Sequence, residues 1–277
     1  ADAARQLGVE VVDLDMSIPF TAARARNAGY ARAIALFPDT DYVQFIDGDC
    51  ELVPGWLAAA TRTLDADSGI AAVCGRLRER FPQASLYNHV LDQEWDAPVG
   101  DVAHCGGIAL MRRSAFEPAN GFREDLIAGE EPELCYRLRQ SGWRIRRERT
   151  EMALHDAAMT RFSQWWRRTR RAGHTYAEGA ALHGGGPERY RVRETRRALL
   201  WGAALPLVTL LAAILVSPWF LALLLAWPLQ MLRLMRQGKS PAAAALMVIG
   251  KLPETQGILG YWLARGRGRK LGLIEYK

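Results

Sequence analysis

Residues 45–52 read Phe45-Ile46-Asp47-Gly48-Asp49-Cys50-Glu51-Leu52, so two carboxylates follow directly on an apolar run. The run from Tyr42 to Ile46 is short and rich in β-formers, which predicts a buried strand. Acids that follow such a strand lie where open α/β sheets bind their ligands. An acidic pair in a turn is most often only solvated, but two oxygen ligands in a short turn also suit a divalent cation that holds substrate phosphates. Asp47 and Asp49 are therefore a candidate metal site.

Strands alternate with helices on both sides of this stretch. The patterns predict strands at 9–14, 42–46, 70–77, 108–111 and 143–149, and helices at 21–36, 54–64 and 129–142. This alternation is typical of an α/β fold with a mostly parallel sheet flanked by helices. Residues 78–102 show neither pattern and are predicted to be a long irregular connection, which is usually functional or mobile in a compact domain.

Composition restricts the class of protein. The cysteines at positions 50, 74, 105 and 135 have no paired spacing for zinc or redox chemistry, so reduced thiols in a cytoplasmic domain are expected. The net charge is +6, and residues 160–197 hold ten arginines against three glutamates. That basic segment predicts contact with anionic membrane lipids. Nucleic acid is the weaker interpretation because an apolar stretch follows directly.

Residues 198–232 contain no charged side chain. One spanning helix needs about 20 apolar residues, so the stretch predicts a transmembrane helical hairpin that turns near Ser217 and Pro218. Basic residues on both sides place both ends in the cytoplasm. Pro241–Gly250 is too short to span and is predicted to be interfacial or re-entrant, and the basic residues from Arg265 to Lys270 suit the cytoplasmic face.

Four motifs in a fixed order resemble the family 2 glycosyltransferases of the GT-A fold, over about residues 8–170. They are Arg26-Asn27-Ala28-Gly29, Phe45 to Asp49, Gly106-Gly107, and Gly129-Glu130-Glu131-Pro132-Glu133-Leu134. The resemblance implies a GT-A-like sheet followed by the transmembrane hairpin and interfacial helices. It also implies a nucleotide-sugar donor and a Mg²⁺ or Mn²⁺ cofactor.

Roles for single residues follow from the same resemblance. Asp47, Asp49 and His155 would hold the metal. The donor would be bound by four residues, Arg26, Asp47, Gly106 and Gly107. Glu131 would be the catalytic base, with Glu130 as the alternative. Neither assignment is required on local grounds, since acids are common at helix starts and a lone histidine is more often a polar or core residue.

A single base implies inversion at the anomeric carbon, because a glycosidase needs two carboxylates that flank the bond. Membrane-embedded polysaccharide synthases of the family carry Gln-x-x-Arg-Trp where this chain has Gln164, Arg167 and then Arg168. The resemblance implies acceptor contacts at Gln164, Trp165, Arg167 and Trp95. The arginine in place of the tryptophan disfavours a processive synthase.

The chain begins at what resembles the family's second strand, so we expect a fragment. Four regions are predicted: an N-terminally incomplete catalytic domain at 1–160, a basic interfacial segment at 161–197, two transmembrane helices at 198–236, and an interfacial or cytoplasmic tail at 237–277. The sequence predicts a metal-dependent inverting glycosyltransferase at a bacterial-type inner membrane, with a cytoplasmic catalytic domain and a lipid-linked or envelope-glycan acceptor. Alternatives are a non-catalytic nucleotide-sugar-binding relative and a membrane scaffold whose acids are structural.

Overall fold

The computed structural model describes residues 2–269, with side chains from residue 4 onward. The chain forms two compact units. The first contains the residues up to Arg78 together with Trp95–Asp156, and the second contains Glu79–Glu94 together with the residues from Ala157 onward. Lys270, which was predicted to lie on the cytoplasmic face, is outside the described residues. The region boundaries predicted at residues 160, 197 and 236 stay a prediction.

The helices and strands follow one another along the chain. Up to residue 155 they are α1 (Asp2–Gln6), α2 (Ala22–Leu36), β1 (Tyr42–Phe45), β2 (Cys50–Leu52), α3 (Trp56–Ala66), β3 (Ile70–Glu79), α4 (Leu86–Glu94), β4 (Gly100–Asp101), β5 (Ala109–Arg112), α5 (Arg113–Phe116), α6 (Glu130–Gln140) and β6 (Arg144–His155). Then come α7 (Phe162–His183), α8 (Val192–Leu199), a π-helical turn (Leu200–Ala204), α9 (Leu205–Leu215), a 3₁₀ segment (Pro218–Leu225), α10 (Ala226–Arg236), α11 (Pro241–Ile249) and α12 (Lys251–Gly266).

The described strands form a six-stranded sheet with the order β1-β5-β3-β6-β2, and β4 pairs with β6. The α/β class is as predicted, but the expectation of a mostly parallel sheet is not met. The pairs β1–β5, β3–β5, β2–β6 and β4–β6 are all antiparallel. The prediction treated every strand as part of a strand–helix–strand crossover. An irregular connection precedes β5 instead, and it lets the strand enter between β1 and β3 in the opposite direction.

Both faces of the sheet are covered. One core cluster includes Phe45, Phe116 and Leu134, and the other includes Trp56 and Leu110. The central strand β3 is buried on both faces, which explains its nearly continuous apolar run. At Gly75 in β3, a Cβ would lie 2.4 Å from the Thr150 carbonyl oxygen and 2.6 Å from the Trp56 ring, so only glycine fits there.

Two local predictions are wrong. Residues 9–14 form no strand, because Val9 and Val12 are largely exposed and no described strand pairs with them. Residues 78–102 are not irregular throughout, since they contain α4 and β4. The pattern of α4 escaped notice because a polar residue, Asn88, occupies its buried face beside Leu91. Asn88 accepts a hydrogen bond from the Met159 amide and donates to Glu79.

The second unit is helical beyond Ala157, and two of its helices, α7 and α12, come into backbone contact at glycine positions. A Cβ on Gly173 of α7 would lie 1.9 Å from the Glu254 carbonyl oxygen of α12. A Cβ on Gly257 of α12 would lie 2.0 Å from the Arg170 carbonyl oxygen. Glycine at both positions is therefore what permits this backbone contact.

Two helices of the second unit are long and apolar enough to cross a membrane, Val192–Leu215 and Pro218–Arg236. Their apolar side chains are mostly exposed, and Leu215 and Trp219 are 77% and 87% accessible. An apolar surface of this extent is typical of a membrane or partner contact. The predicted pair of apolar helices with a break near Ser217 is present, and it gives a weak indication of membrane association.

Candidate active site

The Asp-x-Asp stretch forms the turn between β1 and β2. The Cys50 amide donates to the Asp47 carbonyl at 3.1 Å, and β2 begins at Cys50. The Asp156 amide donates to the Asp49 carbonyl at 3.0 Å. The pairing of β2 with β6 and this last bond hold the acidic turn beside the end of β6.

Arg26 joins the two acidic motifs. It lies on α2, its side chain is only 12% exposed, and its Nη2 lies 2.5 Å from Asp47 Oδ1. Its Nη1 donates to Glu130 Oε1 in a short contact. Burial lowers the pKa of Arg26, but Asp47 and Glu130 outweigh this effect and raise the pKa above its usual value. A permanently charged arginine therefore sits between one carboxylate of each motif.

Asn27 is a positioning residue that the sequence analysis did not single out. Its side-chain amide donates to the Phe122 carbonyl at 2.8 Å and accepts from the Phe122 amide at 3.0 Å. The paired bonds fix the loop before α6 against α2. A Cβ on Gly121, which has a φ of +59°, would lie 2.8 Å from the Asn27 side chain. The sequence signal for Asn27 was its position next to Arg26 in the same motif. Arg26 reaches the site, and Asn27 holds the loop before α6.

Glu131 holds the glycine loop. Its Oε1 accepts the Cys105 amide at 2.8 Å, and its Oε2 accepts the amides of Gly106 and Gly107 at 2.9 and 3.2 Å. The Cys135 thiol donates to Oε1 at 2.9 Å, and Glu131 is 1% exposed. Gly106 and Gly107 have φ of +91° and +108°, which favours glycine. All four donors are thus satisfied by one carboxylate.

The glycine loop also lies beside the acidic turn. A Cβ on Gly107 would come within 3.6 Å of Asp47 Oδ2 and 3.8 Å of Arg26 Nη2. Among the predicted donor residues, the structure therefore brings Arg26, Asp47 and Gly107 close together, and Glu130 joins them through Arg26.

The two adjacent glutamates point in different directions because α6 turns about 100° per residue. Leu134, Cys135 and Leu138 are buried and define the face of α6 that packs on the sheet. Glu131 falls near the centre of that face, whereas Glu130 falls about 90° away, at its edge. The spacing of these apolar residues was thus a signal, present in the sequence, that Glu131 faces inward.

Three cysteines meet beneath the glycine loop, and all four of the chain are free. Hydrogen bonds with Cys135 and Cys74, together with burial, hold the pKa of Cys105 well above its usual value. The bond with Cys105 lowers the pKa of Cys135, but burial and the nearby Glu131 outweigh it and raise that pKa to about 12. The thiols of Cys105 and Cys135 are therefore protonated and unreactive at neutral pH.

His155 ends β6 next to the acidic turn. Its Nε2 lies 3.5 Å from Asp49 Oδ2, and its side chain is 12% exposed. The Trp95 ring meets the His155 ring edge to face, with 4.9 Å between centroids. Cys50 is the cross-strand partner of His155. One ligand atom each from Asp49, Cys50 and His155 lies within 4.8 Å of the others, so these three residues form a group that can hold a metal ion.

The other predicted acceptor residues lie in the second unit. Gln164 caps α7, because its Oε1 accepts the amides of Thr160 and Arg161. Trp165 is 6% exposed and packs against Phe162. The Arg167 side chain is exposed. The roles of Gln164, Trp165, Arg167 and Trp95 toward an acceptor stay a prediction.

Comparison with known proteins gives two kinds of likeness, although no protein-family model matches the chain. Pre-mycofactocin glycosyltransferases from two strains of Mycobacterium tuberculosis are each 30% identical over 172 residues. The match covers 58% of this chain and 35% of each relative, so the chain spans about a third of the length of these curated relatives.

The fold is similar to that of a solved glycosyltransferase. The mannosyltransferase PcManGT from Pyrobaculum calidifontis, in complex with GDP-Man and Mn²⁺, superimposes with a TM-score of 0.57 at 21% identity. The likeness covers 93% of this chain and 71% of that one. The chain thus has a glycosyltransferase-like α/β fold and sequence similarity to a glycosyltransferase.

Proposed function

We propose that this chain belongs to a metal-dependent, inverting glycosyltransferase of family 2 with the GT-A fold. It transfers a sugar from a nucleotide-sugar donor to a lipid-linked or envelope-glycan acceptor at a bacterial inner membrane. The observation that carries the proposal is the cluster in which Arg26 contacts both Asp47 and Glu130, with Gly107 of the glycine loop beside them. The similarity to glycosyltransferases, one of them solved with GDP-Man and Mn²⁺, supports it.

The residues around the acidic turn fit a divalent cation. Asp49 and His155 offer an oxygen and a nitrogen 3.5 Å apart, a separation that a common metal ion bridges. Of the two aspartates, Asp47 is paired with Arg26, whereas Asp49 lies next to His155. When bound, Mg²⁺ or Mn²⁺ neutralises the charge that develops on the diphosphate leaving group.

The remaining contacts to the donor would come from Arg26 and the glycine loop. Arg26 is the buried cation nearest to Asp47 and is placed to meet a phosphate oxygen. The glycine loop, closed by Glu131, forms the wall against which the sugar lies, because residues without side chains allow a close approach.

Geometry favours Glu130 over Glu131 as the base. A base needs an oxygen within hydrogen-bond reach of the acceptor hydroxyl. Both oxygens of Glu131 already accept hydrogen bonds, and the residue is 1% exposed. Glu130 is 7% exposed and uses Oε1 for Arg26, while its Oε2 accepts no hydrogen bond from any described residue. We therefore assign the proton-accepting role to Glu130 and the loop-holding role to Glu131.

The two apolar helices and the basic residues at their ends support membrane attachment. Arg196 and Arg197 lie near the start of the first helix, and Arg233 and Arg236 lie at the end of the second. This charge pattern supports a hairpin with both ends on the cytoplasmic side, where nucleotide sugars are made. The arginines of α7 and α8 supply contacts for anionic lipid headgroups. No role in nucleic-acid binding is proposed.

The test combines donor binding with turnover on the full chain in lipid nanodiscs. GDP and UDP binding is measured by calorimetry with and without Mn²⁺, and turnover is the release of GDP or UDP from GDP-mannose or UDP-glucose in the presence of extracted bacterial lipids. We expect Glu130→Gln to keep nucleotide binding and to lower turnover by about 10²-fold or more. Glu117→Gln is the matched control, because Glu117 is an exposed acid bound to Tyr30 and Arg113.

The outcomes separate the alternatives. Nucleotide binding that persists without turnover in the wild-type chain would favour a non-catalytic relative. Absence of both would favour a membrane scaffold. Binding that does not depend on metal and survives Asp49→Ala would contradict the metal site.

A further inference from the structure

Cys50 is a sulfur donor beside the proposed metal site to which no role has yet been assigned. It is the first residue of β2 and the cross-strand partner of His155, so both side chains stand on the same face of the sheet. Its Sγ lies 3.6 Å from Asp49 Oδ1.

The three ligand atoms have the spacing of a metal shell. A cation with a sulfur ligand at about 2.3 Å and nitrogen or oxygen ligands at about 2.0 Å separates these atoms by roughly 3.3–3.8 Å in a tetrahedral arrangement. Cys50 Sγ lies 3.6 Å from Asp49 Oδ1, and His155 Nε2 lies 3.5 Å from Asp49 Oδ2. One ligand atom from each of the three residues lies within 4.8 Å of the others.

We propose that Cys50 is a third protein ligand of the divalent cation, with Asp49 and His155, and that it shifts the preference of the site from Mg²⁺ toward Mn²⁺ and softer cations such as Co²⁺ and Zn²⁺. This inference rests on the proposed function. Mg²⁺ prefers an octahedral shell of oxygen atoms, whereas thiolate and imidazole ligands favour the later transition metals. On coordination the thiol releases its proton to water and binds as the thiolate.

The other cysteine cluster is not equivalent. Cys105, Glu131 and Cys135 also have ligand atoms close together. Both oxygens of Glu131 are occupied by three amides and a thiol, however, so a cation there would have to break the contacts that hold the glycine loop. We assign no ion to that cluster.

The test uses Co²⁺ as the probe, on the full chain in nanodiscs, first alone and then with GDP. A cysteine ligand gives Co²⁺ a near-ultraviolet sulfur-to-metal charge-transfer band. We expect this band in the wild-type chain and its loss in Cys50→Ser and Cys50→Ala. The Co²⁺ affinity should fall about tenfold or more, while the Mg²⁺ affinity stays within about twofold. Cys74→Ala, a change at a buried core thiol, is the matched control and should keep the band.

The possible results distinguish the two proposals. Saturable Co²⁺ binding that is lost in Asp49→Ala and His155→Ala, but that gives no sulfur-to-metal band in the wild-type chain or keeps its affinity in both Cys50 variants, overturns the role of Cys50 and leaves the metal site intact. Absence of saturable Co²⁺ binding in the wild-type chain overturns both. Loss of the band together with the native near-ultraviolet dichroism in Cys50→Ala shows unfolding, and the isosteric Cys50→Ser variant then decides.

Discussion

The substitution Glu131→Gln tests whether Glu131 holds the glycine loop in place or acts as the catalytic base. The side chain of Glu131 accepts two hydrogen bonds at each oxygen. In Glu131→Gln an NH₂ group replaces one of these oxygens, so at least one backbone amide of residues 105–107 loses its acceptor whichever way the new side chain turns. A buried amide without a partner costs about 1–3 kcal/mol, and loss of the negative charge weakens the remaining bonds, so the closed loop should lose about 2–4 kcal/mol.

This loss is measurable at the loop itself. Hydrogen exchange of the full chain in nanodiscs, followed by mass spectrometry of a peptide that covers residues 103–108, reports the free energy of loop opening. A loss of 2–4 kcal/mol corresponds to exchange about 30- to 1,000-fold faster. Donor affinity should fall with it if the closed loop forms one wall of the donor site, as proposed above. Glu130→Gln serves as the comparison and should leave exchange in this peptide unchanged.

One result would refute this reasoning. If Glu131→Gln keeps the protection of residues 103–108 and the donor affinity but loses turnover, then Glu131 is the base and its bonds to the loop are incidental.

Three further predictions address other parts of the chain. Arg26→Lys can keep only one of the two contacts that Arg26 makes with Asp47 and Glu130. The lost charged hydrogen bond, about 1.5–3 kcal/mol, should lower turnover by about 10- to 100-fold in a steady-state assay. Unchanged turnover would show that the double contact of Arg26 is not needed for the reaction. Pro218→Cys should react with an impermeant maleimide from the periplasm, and Arg267→Cys only from the cytoplasm, as read by peptide mapping; periplasmic labelling at 267 would exclude the hairpin. Gly173→Ala should lower the melting temperature of the full chain by several degrees, whereas Gly185→Ala, with open space around its Cα, should not.

The sequence motifs lie close together in the structure, whereas the predicted direction of the strands was wrong; the roles of the motif residues stay a prediction. The order of the motifs identified Arg26, Asp47 and Glu130, which the structure brings into contact. Asp47 follows β1, Gly107 precedes the antiparallel strand β5, and Arg26 and Glu130 lie near the starts of α2 and α6, so these motifs meet at one edge of the sheet. Strand direction is not encoded in this way, so the antiparallel entry of β5 could not be read from local patterns.

Other differences have equally local causes. The segment around Val9 has a strand-like composition, but a strand also needs a neighbour, and composition cannot supply one. Helix α4 was not predicted because the polar residue Asn88 interrupts the apolar pattern of its buried face. Asn88 can be buried there because Glu79 and Met159 satisfy its hydrogen bonds, and local sequence does not reveal such partners. The role of Glu131 depended on the rotation of α6, which the burial of Leu134 and Leu138 determines.

The glycine contacts of α12 have a consequence for how the protein behaves outside water. Besides Gly173 and Gly257, a Cβ on Gly202, within the first apolar helix, would lie 2.0 Å from the Lys251 carbonyl oxygen of α12. Contacts between bare backbones depend on dispersion and close fit, and neither weakens when lipid replaces water, whereas the attraction between apolar side chains largely vanishes there. The contact between this helix and α12 should therefore be about as strong in lipid as in water. A mild detergent that mimics the bilayer should leave this contact between the two helices intact.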